Sequence, residues 1–127
     1  LLDNVDIVCY DNPWPRGNPQ QVIKEKEVIY KQKLEKKENL DKIWNILQEN
    51  KFPDNIGLSE TSLLIRKHNN IKNFSNEWSN LVKICIRDQM SFEYLLWKHE
   101  VKFKRYNIEH RFTKKLGHKN PKGRYII

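Results

Sequence analysis

The chain has 127 residues, of which 38% are hydrophobic and 31% charged, and its formal net charge is +8 at pH 7. This length and apolar content are sufficient for one domain with its own core, and they exclude wholesale disorder. No apolar run approaches the ~18 residues of a membrane-spanning helix, so we expect no transmembrane segment and a cytoplasmic or membrane-peripheral location.

The first predicted element is a strand at residues 5–10, with apolar side chains on both faces, as in a strand covered on both sides. Residues 11–19 contain three prolines and a glycine, which indicates a loop. Trp14 and Arg16 lie in this loop and are able to stack on or hydrogen-bond a ligand. The same pair could simply pack the loop.

Two helices are predicted next, at residues 21–38 and 39–50, with Asn39 as the N-cap of the second. The second helix has an apolar stripe with i, i+3, i+4, i+7 spacing, formed by Leu40, Ile43, Trp44 and Leu47. The dense Lys and Glu residues around it are typical of a solvated helix face.

A loop containing Pro53, Asn55 and Gly57 then leads into a strand at residues 61–66. Two further helices are predicted at about residues 72–86 and 90–99, separated by Arg87-Asp88-Gln89, with Asp88 as a cap of the second helix. Residues 101–106 alternate between apolar and basic side chains and predict a third strand at a sheet edge. This order of elements predicts an α/β domain with a small parallel or mixed sheet.

Candidate site residues lie at the ends of these elements, where functional groups are commonly presented. Glu60 could bind a sugar hydroxyl or act as a general base, or it could instead cap local N–H groups, and Asp88 is the preferred functional carboxylate. Arg66 is suited to bidentate contact with a phosphate or carboxylate. His68 could be catalytic, or it could have a purely structural role. Arg87 and Gln89 flank Asp88 at the helix break, where free backbone N–H groups can bind an anion, and Arg87 could also pair with a nearby acid.

The positive charge is concentrated near the C-terminus, because residues 98–124 contain ten Lys or Arg against two Glu. Such a segment indicates a phosphate-bearing partner, which includes nucleic acid, an anionic membrane surface or a diphosphate. Cys9 and Cys85 lie in separate apolar runs and are expected to be two buried thiols rather than a disulfide. No zinc-binding spacing, phosphate-binding glycine loop or Asp-x-Asp motif is present.

The central stretch resembles a glycosyltransferase-like family that includes plant proteins of seed mucilage and turgor regulation and bacterial or viral capsule-glycan transferase relatives. The matching motifs are Gly57-Leu58-x-Glu60-Thr61, Leu64-x-Arg66-x-His68, Phe74 and Trp78, Arg87-Asp88-Gln89-x-Ser91-Phe92, and Tyr94 to Trp97. A weaker upstream match places Asn12 where the family has a His before Pro13, which would leave the protein weakened, altered in substrate or inactive.

The resemblance implies the C-terminal half of a GT-A-like nucleotide-sugar transferase domain over residues 1–113, followed by a basic tail at residues 114–127. It implies a nucleotide-sugar donor, a glycan or surface-polysaccharide acceptor, and Mn²⁺ or Mg²⁺ held mostly by residues outside this chain. Asp88 and Glu60 become the candidate catalytic carboxylates, and the substrate-binding candidates are Arg66, His68, Arg87, Gln89, Trp14 and Arg16. The thin sheet is then expected to be completed by a missing N-terminal half or by a homo-oligomer.

Two other functions remain open at this point. The chain could be a non-catalytic basic module that binds nucleic acid or an anionic surface through residues 98–124. It could also be an inactive remnant of the transferase fold.

Overall fold

The structure, a computed structural model, describes residues 4–11 and 21–106. These residues form an α/β fold with a small mixed sheet and several helices, which confirms the predicted fold class. In chain order the elements are β1 (Ile7–Asp11), α1 (Val22–Lys31), α2 (Lys37–Glu49), β2 (Ser59–Arg66), a 3₁₀ helix (His68–Ile71), α3 (Lys72–Ile84), α4 (Gln89–Lys98) and β3 (Phe103–Tyr106).

The described strands form one sheet in the order β2-β1-β3, with β1 antiparallel to β2 and parallel to β3. The central strand is β1, whose residues 7–10 are all buried, as the apolar pattern on both of its faces predicted. The pairing between β1 and β2 is irregular. Val8 lies opposite Ile65 and Tyr10 opposite Glu60, so one residue of β1 faces a four-residue bulge of β2.

The most buried helix is α4, and every side chain from Met90 to Leu96 is buried. The sequence predicted a single apolar stripe for this helix, so the extent of its burial was underestimated. The reason is tertiary, because α1, α2, α3 and β2 all pack against α4 and leave it no solvent-facing side along these residues. Glu93 is therefore carried into the core.

Aromatic rings join α3 and α4. The ring centroids of Phe74 and Phe92 lie 5.7 Å apart at an interplanar angle of 84°, and those of Trp78 and Phe92 lie 5.0 Å apart. The first pair is edge-to-face, an arrangement that adds about 0.5–1.5 kcal/mol to the stability gained by burying the rings, and the second pair is tilted. The two helices that flank the Arg-Asp-Gln segment are thus held in one arrangement.

Helix boundaries are where the sequence predictions were least accurate. The first helix ends at Lys31 rather than near residue 38, because Lys33 has a φ of 55° and terminates the helix in the left-handed conformation. The predicted N-cap at Asn39 is wrong, since α2 begins at Lys37. The amide of Asn39 instead donates to Glu35 Oε1 at 3.0 Å, and Glu35 Oε2 accepts from the backbone N–H of Ile86 at 3.1 Å.

Both cysteines are free thiols and both are buried, as predicted. Cys9 lies in β1, and its Sγ donates to Ser59 Oγ at 3.5 Å. Cys85 directly follows α3, 1% exposed. Burial raises the pKa of both thiols, which lowers their reactivity.

Candidate functional site

Asp88 occupies the break between α3 and α4, but its side chain does not cap α4. It stands at the N-cap position, and no hydrogen bond joins its carboxylate to the helix N–H groups. Its Oδ1 instead accepts a hydrogen bond from Thr61 Oγ1 on β2 at 2.8 Å. Its backbone oxygen accepts from Trp78 Nε1 at 3.3 Å and from Ser91 Oγ at 3.2 Å. The carboxylate is thus oriented by the sheet, and the backbone by the two helices.

Glu60 immediately precedes Thr61 on β2, opposite Tyr10 of β1, and is half-buried. Consecutive Cα atoms in a trans chain are about 3.8 Å apart, so the strand position of Glu60 adjoins the residue that holds Asp88. This places the backbone of Glu60 next to the residue that contacts Asp88. Because successive side chains of a regular strand point to opposite faces, the adjacency does not by itself bring the two carboxylates together. Their roles in catalysis stay a prediction.

A third carboxylate, Glu25 of α1, belongs to the same region. Burial raises the pKa of Glu25, while the positive charge of Arg87 lowers it and the negative charge of Glu60 raises it further. Glu25 is only 9% exposed. Glu25 therefore lies within electrostatic range of both Arg87 and Glu60.

The sequence reasoning did not single out Glu25. A signal was present, because Val22, Glu25 and Ile29 occupy i, i+3 and i+7 positions on one helix face and all three are buried. A carboxylate on an apolar stripe is a candidate for a functional or paired acid. Glu25 is therefore the candidate for the acid that the sequence predicted to pair with Arg87.

Of the other predicted site residues, Gln89 adjoins Asp88, whereas Arg66 and His68 follow at the other end of β2. Gln89 is half-buried at the first position of α4, next to Asp88. Arg66 is exposed at the far end of β2, six residues from Glu60, which corresponds to at most about 20 Å of extended strand. His68 opens the 3₁₀ helix beyond it. Trp14 and Arg16 lie outside the described residues, as does the predicted tail at residues 114–127.

A buried ion pair supports the loop that leads to Glu60. Arg105 of β3 donates from Nη2 to Glu93 Oε2, from Nε to Ser59 Oγ at 2.7 Å, and from Nη1 to the carbonyl of Ile56 at 2.6 Å. Gly57 completes the turn with a φ of +92°, and a Cβ there would lie 3.1 Å from Arg105 Nη1. Burial raises the pKa of Glu93 to about 7, against the opposing charge of Arg105.

The same loop fixes the start of α1. Asp54 is buried, and its two carboxylate oxygens accept hydrogen bonds from the backbone N–H groups of Val22 at 2.6 Å and Ile23 at 3.1 Å. Asp54 therefore caps α1 from a distant part of the chain and helps to position Glu25 one turn later. Burial raises the pKa of Asp54, and these hydrogen bonds lower it.

Over residues 4–11 and 21–106, no group of three or more His, Cys, Asp or Glu side chains is placed to hold a metal ion. The described carboxylates do not by themselves fit the Mn²⁺ or Mg²⁺ that the resemblance implies. In the same part of the chain, no helix has the length and apolar character needed to span a bilayer.

Fold and site together define an α/β domain in which Asp88 lies at the break between two packed helices and Glu25 lies within electrostatic range of Arg87 and Glu60. A family model described as "TOD1/MUCI70, glycosyltransferase-like domain" matches residues 18–117, which is well over half of the chain. The chain belongs to this family, and the resemblance seen in the sequence is confirmed. No curated protein matches the chain. No solved structure matches it either.

Proposed function

We propose that this chain contributes to a nucleotide-sugar-dependent glycosyltransferase of the GT-A kind, which transfers a hexose to a glycan or surface-polysaccharide acceptor. Membership of a glycosyltransferase-like family supports the general role. The observation that carries the proposal is the hydrogen bond from Thr61 to Asp88, which orients a half-buried carboxylate at the helix break.

In the proposed reaction Asp88 acts as the general base. It removes the proton from an acceptor hydroxyl as the hydroxyl oxygen forms a bond to the anomeric carbon of the donor. The bond from that carbon to the diphosphate oxygen breaks, and the nucleoside diphosphate leaves with the electron pair. Thr61 donates a hydrogen bond to Oδ1 of Asp88. Oδ2 of Asp88 accepts no hydrogen bond from the described residues, so it is the oxygen proposed to accept the proton of the acceptor hydroxyl.

Glu60 is the alternative base, and in the leading arrangement it binds an acceptor hydroxyl. Arg87 and Gln89 are proposed to contact the donor or the acceptor, with Arg87 offsetting negative charge on the leaving diphosphate. Arg66 and His68, at the other end of β2, would contact only an extended ligand. Since the described residues do not form a metal site, no step is assigned to a metal ion.

The direct test is calorimetric titration of UDP- and GDP-hexoses, with and without Mn²⁺, into a folded sample that also contains the expected N-terminal half. We expect donor binding and hexose transfer to a glycan acceptor. Asp88→Asn should reduce kcat by about 10²–10⁴-fold and leave donor affinity nearly unchanged. Glu38→Gln, on an exposed position of α2, is the matched control and should be neutral.

The competing functions give different results. An inactive remnant would bind donor without transfer or bind no donor at all, even at millimolar concentration. A basic module would bind nucleic acid with an affinity that falls steeply with salt and would lose that affinity when Lys114, Lys115 and Lys119 are neutralised.

A further inference from the structure

A hollow lies beside the 3₁₀ helix, the start of α3 and the residues that follow α4, and neither Asp88 nor Glu60 lines it. Its volume is about 440 Å³, within the range of small-molecule sites. Its side chains are mainly polar: Asp6, Asn69, Asn70, Lys72, Asn73, His99 and Glu100.

The rim of this hollow is held by hydrogen bonds to the sheet. The N–H of Asp6 donates to the carbonyl of Lys102 at 2.7 Å, and the carbonyl of Asp6 accepts from the N–H of Lys67 at 2.9 Å. Asn70 Nδ2 donates to Asp6 Oδ1 at 3.1 Å. A ligand would therefore meet a preorganised wall, which reduces the entropic cost of binding.

Two amides remain available for a ligand. Asn69 and Asn73 are exposed, and their side chains make no hydrogen bond to the described residues. Each amide offers two donor hydrogens and one acceptor oxygen. The carboxylates of Asp6 and Glu100 add acceptors, and the ammonium group of Lys72 adds donors.

The balance of charge and polarity decides the class of ligand. Two carboxylates face one ammonium group and the imidazole of His99, whose Nε2 lies 3.4 Å from Glu77 Oε1. The hollow therefore has no excess of positive charge to favour a diphosphate, and its mainly polar surface does not suit a lipid chain. Sugar hydroxyls both donate and accept, as the amides do. The buried Ile71 and Phe74 at the base of the hollow offer a small apolar contact for a ring C–H face.

We propose that this hollow is a saccharide-binding site that recognises an uncharged sugar unit through Asn69, Asn73 and the Asp6–Asn70 pair. The site is separate from the proposed catalytic carboxylates. It requires neither a nucleotide donor nor transfer activity.

The test is a nuclear magnetic resonance titration of the ¹⁵N-labelled full chain with methyl glycosides of glucose, galactose, xylose and N-acetylglucosamine. No nucleotide or metal is added, so failure here leaves the transferase proposal to its own donor titration. At least one glycoside should cause saturable shifts at the backbone and side-chain amides of Asn69, Asn70 and Asn73. The double variant Asn69→Ala/Asn73→Ala should weaken that binding by about tenfold or more.

The matched control is Asn80→Ala, an exposed amide seven residues beyond Asn73 on α3 and about 10 Å further along the helix axis. This variant should bind like the wild type. The proposal is overturned if no glycoside shifts these signals, or if the double variant binds as tightly as Asn80→Ala. Saturable shifts with inorganic phosphate instead of the glycosides would also overturn it, in favour of an anion site at the start of α3.

Discussion

Asp88 and Thr61 form the most specific side-chain contact of the candidate site. They are 27 residues apart in the chain, and the 2.8 Å hydrogen bond between them joins the helix break to β2. A hydroxyl that donates to a carboxylate oxygen fixes the orientation of that carboxylate.

Thr61→Val tests the hydrogen bond to Asp88 without changing the size of the side chain, because valine keeps the shape of threonine and lacks the hydroxyl. The free energy of unfolding should fall by about 1 kcal/mol, as for one lost hydrogen bond. If Asp88 is the base, kcat should fall while KM for the donor changes little. Urea denaturation and a transfer assay measure the two effects.

Thr61→Ser is the control, since serine retains the hydroxyl and should preserve most of both properties. Equal behaviour of the valine and serine variants in both assays would show that the contact with Asp88 has no consequence.

Glu93 is the second residue with a distinct prediction. Its pKa is raised from an ordinary value of 4.5 to about 7 by burial. Between these values the folded protein keeps a proton that the unfolded chain has released, so this residue makes stability fall as the pH rises through that window.

Glu93→Gln should remove this contribution. We expect the free energy of unfolding of the wild type to decrease relative to that of the variant between about pH 4.5 and 7, with no further relative change above it. Urea denaturation at a series of pH values measures the difference. Parallel pH profiles for the two proteins would contradict the assignment, and Glu49→Gln, exposed on α2, provides the neutral reference.

At the scale of elements, α1 depends on a cap that comes from outside its own segment. The residue before the helix is Gln21, whose side chain makes no cap hydrogen bond, and Asp54 supplies the acceptors instead. Asp54 itself has a φ of 52°, a left-handed conformation that Asp and Asn tolerate better than most residues.

Asp54→Ala should therefore lower the free energy of unfolding by about 1–2 kcal/mol, since it removes the cap and places alanine in a strained conformation. Asp54→Asn should lower the free energy of unfolding by a smaller amount. Hydrogen exchange at the amides of Val22 and Ile23 should accelerate in the alanine variant before exchange elsewhere in the protein does.

The neighbouring Asn55→Ala is the matched control, because Asn55 is exposed in the same loop. If Asn55→Ala lowered the free energy of unfolding as much as Asp54→Ala, the effect would come from a general sensitivity of the loop and not from loss of the cap.

At the scale of the whole molecule, β1 connects the described parts of the sheet. It pairs with β2 on one side and β3 on the other, and residues 7–10 are buried between the layers. A central strand of this kind is exposed only when most of the domain unfolds, whereas the break that follows α3 can open locally.

The reaction rates of the two thiols distinguish unfolding of the whole domain from local opening of the helix break. Cys9 should react with a thiol reagent at the rate of global unfolding, and Cys85, beside the exposed Ile86, should react faster. The variants Cys9→Ala and Cys85→Ala allow each rate to be measured alone, and a fully denatured sample should titrate two thiols. Equal rates for both thiols under native conditions would mean that the helix break opens only with the whole domain.

Local patterns were sufficient to predict most elements of this chain. The apolar run of β1 and the spacing of Leu40, Ile43 and Leu47 in α2 report directly on which side chains are buried. The motif residues 57–61 and 87–92 identified the family, because the family model covers both. These properties depend on residues that are close together in the chain.

Only the tertiary structure revealed how those motifs are arranged in space. The burial of α4 on all sides, the cap that Asp54 provides for α1, and the proximity of Glu25 to Arg87 each involve partners from distant segments. The amino-acid sequence by itself determined the class of fold and the family. The packing of distant segments decided which residues lie near Asp88 and Glu25, since periodicity within one segment carries no information about the segment that packs against it.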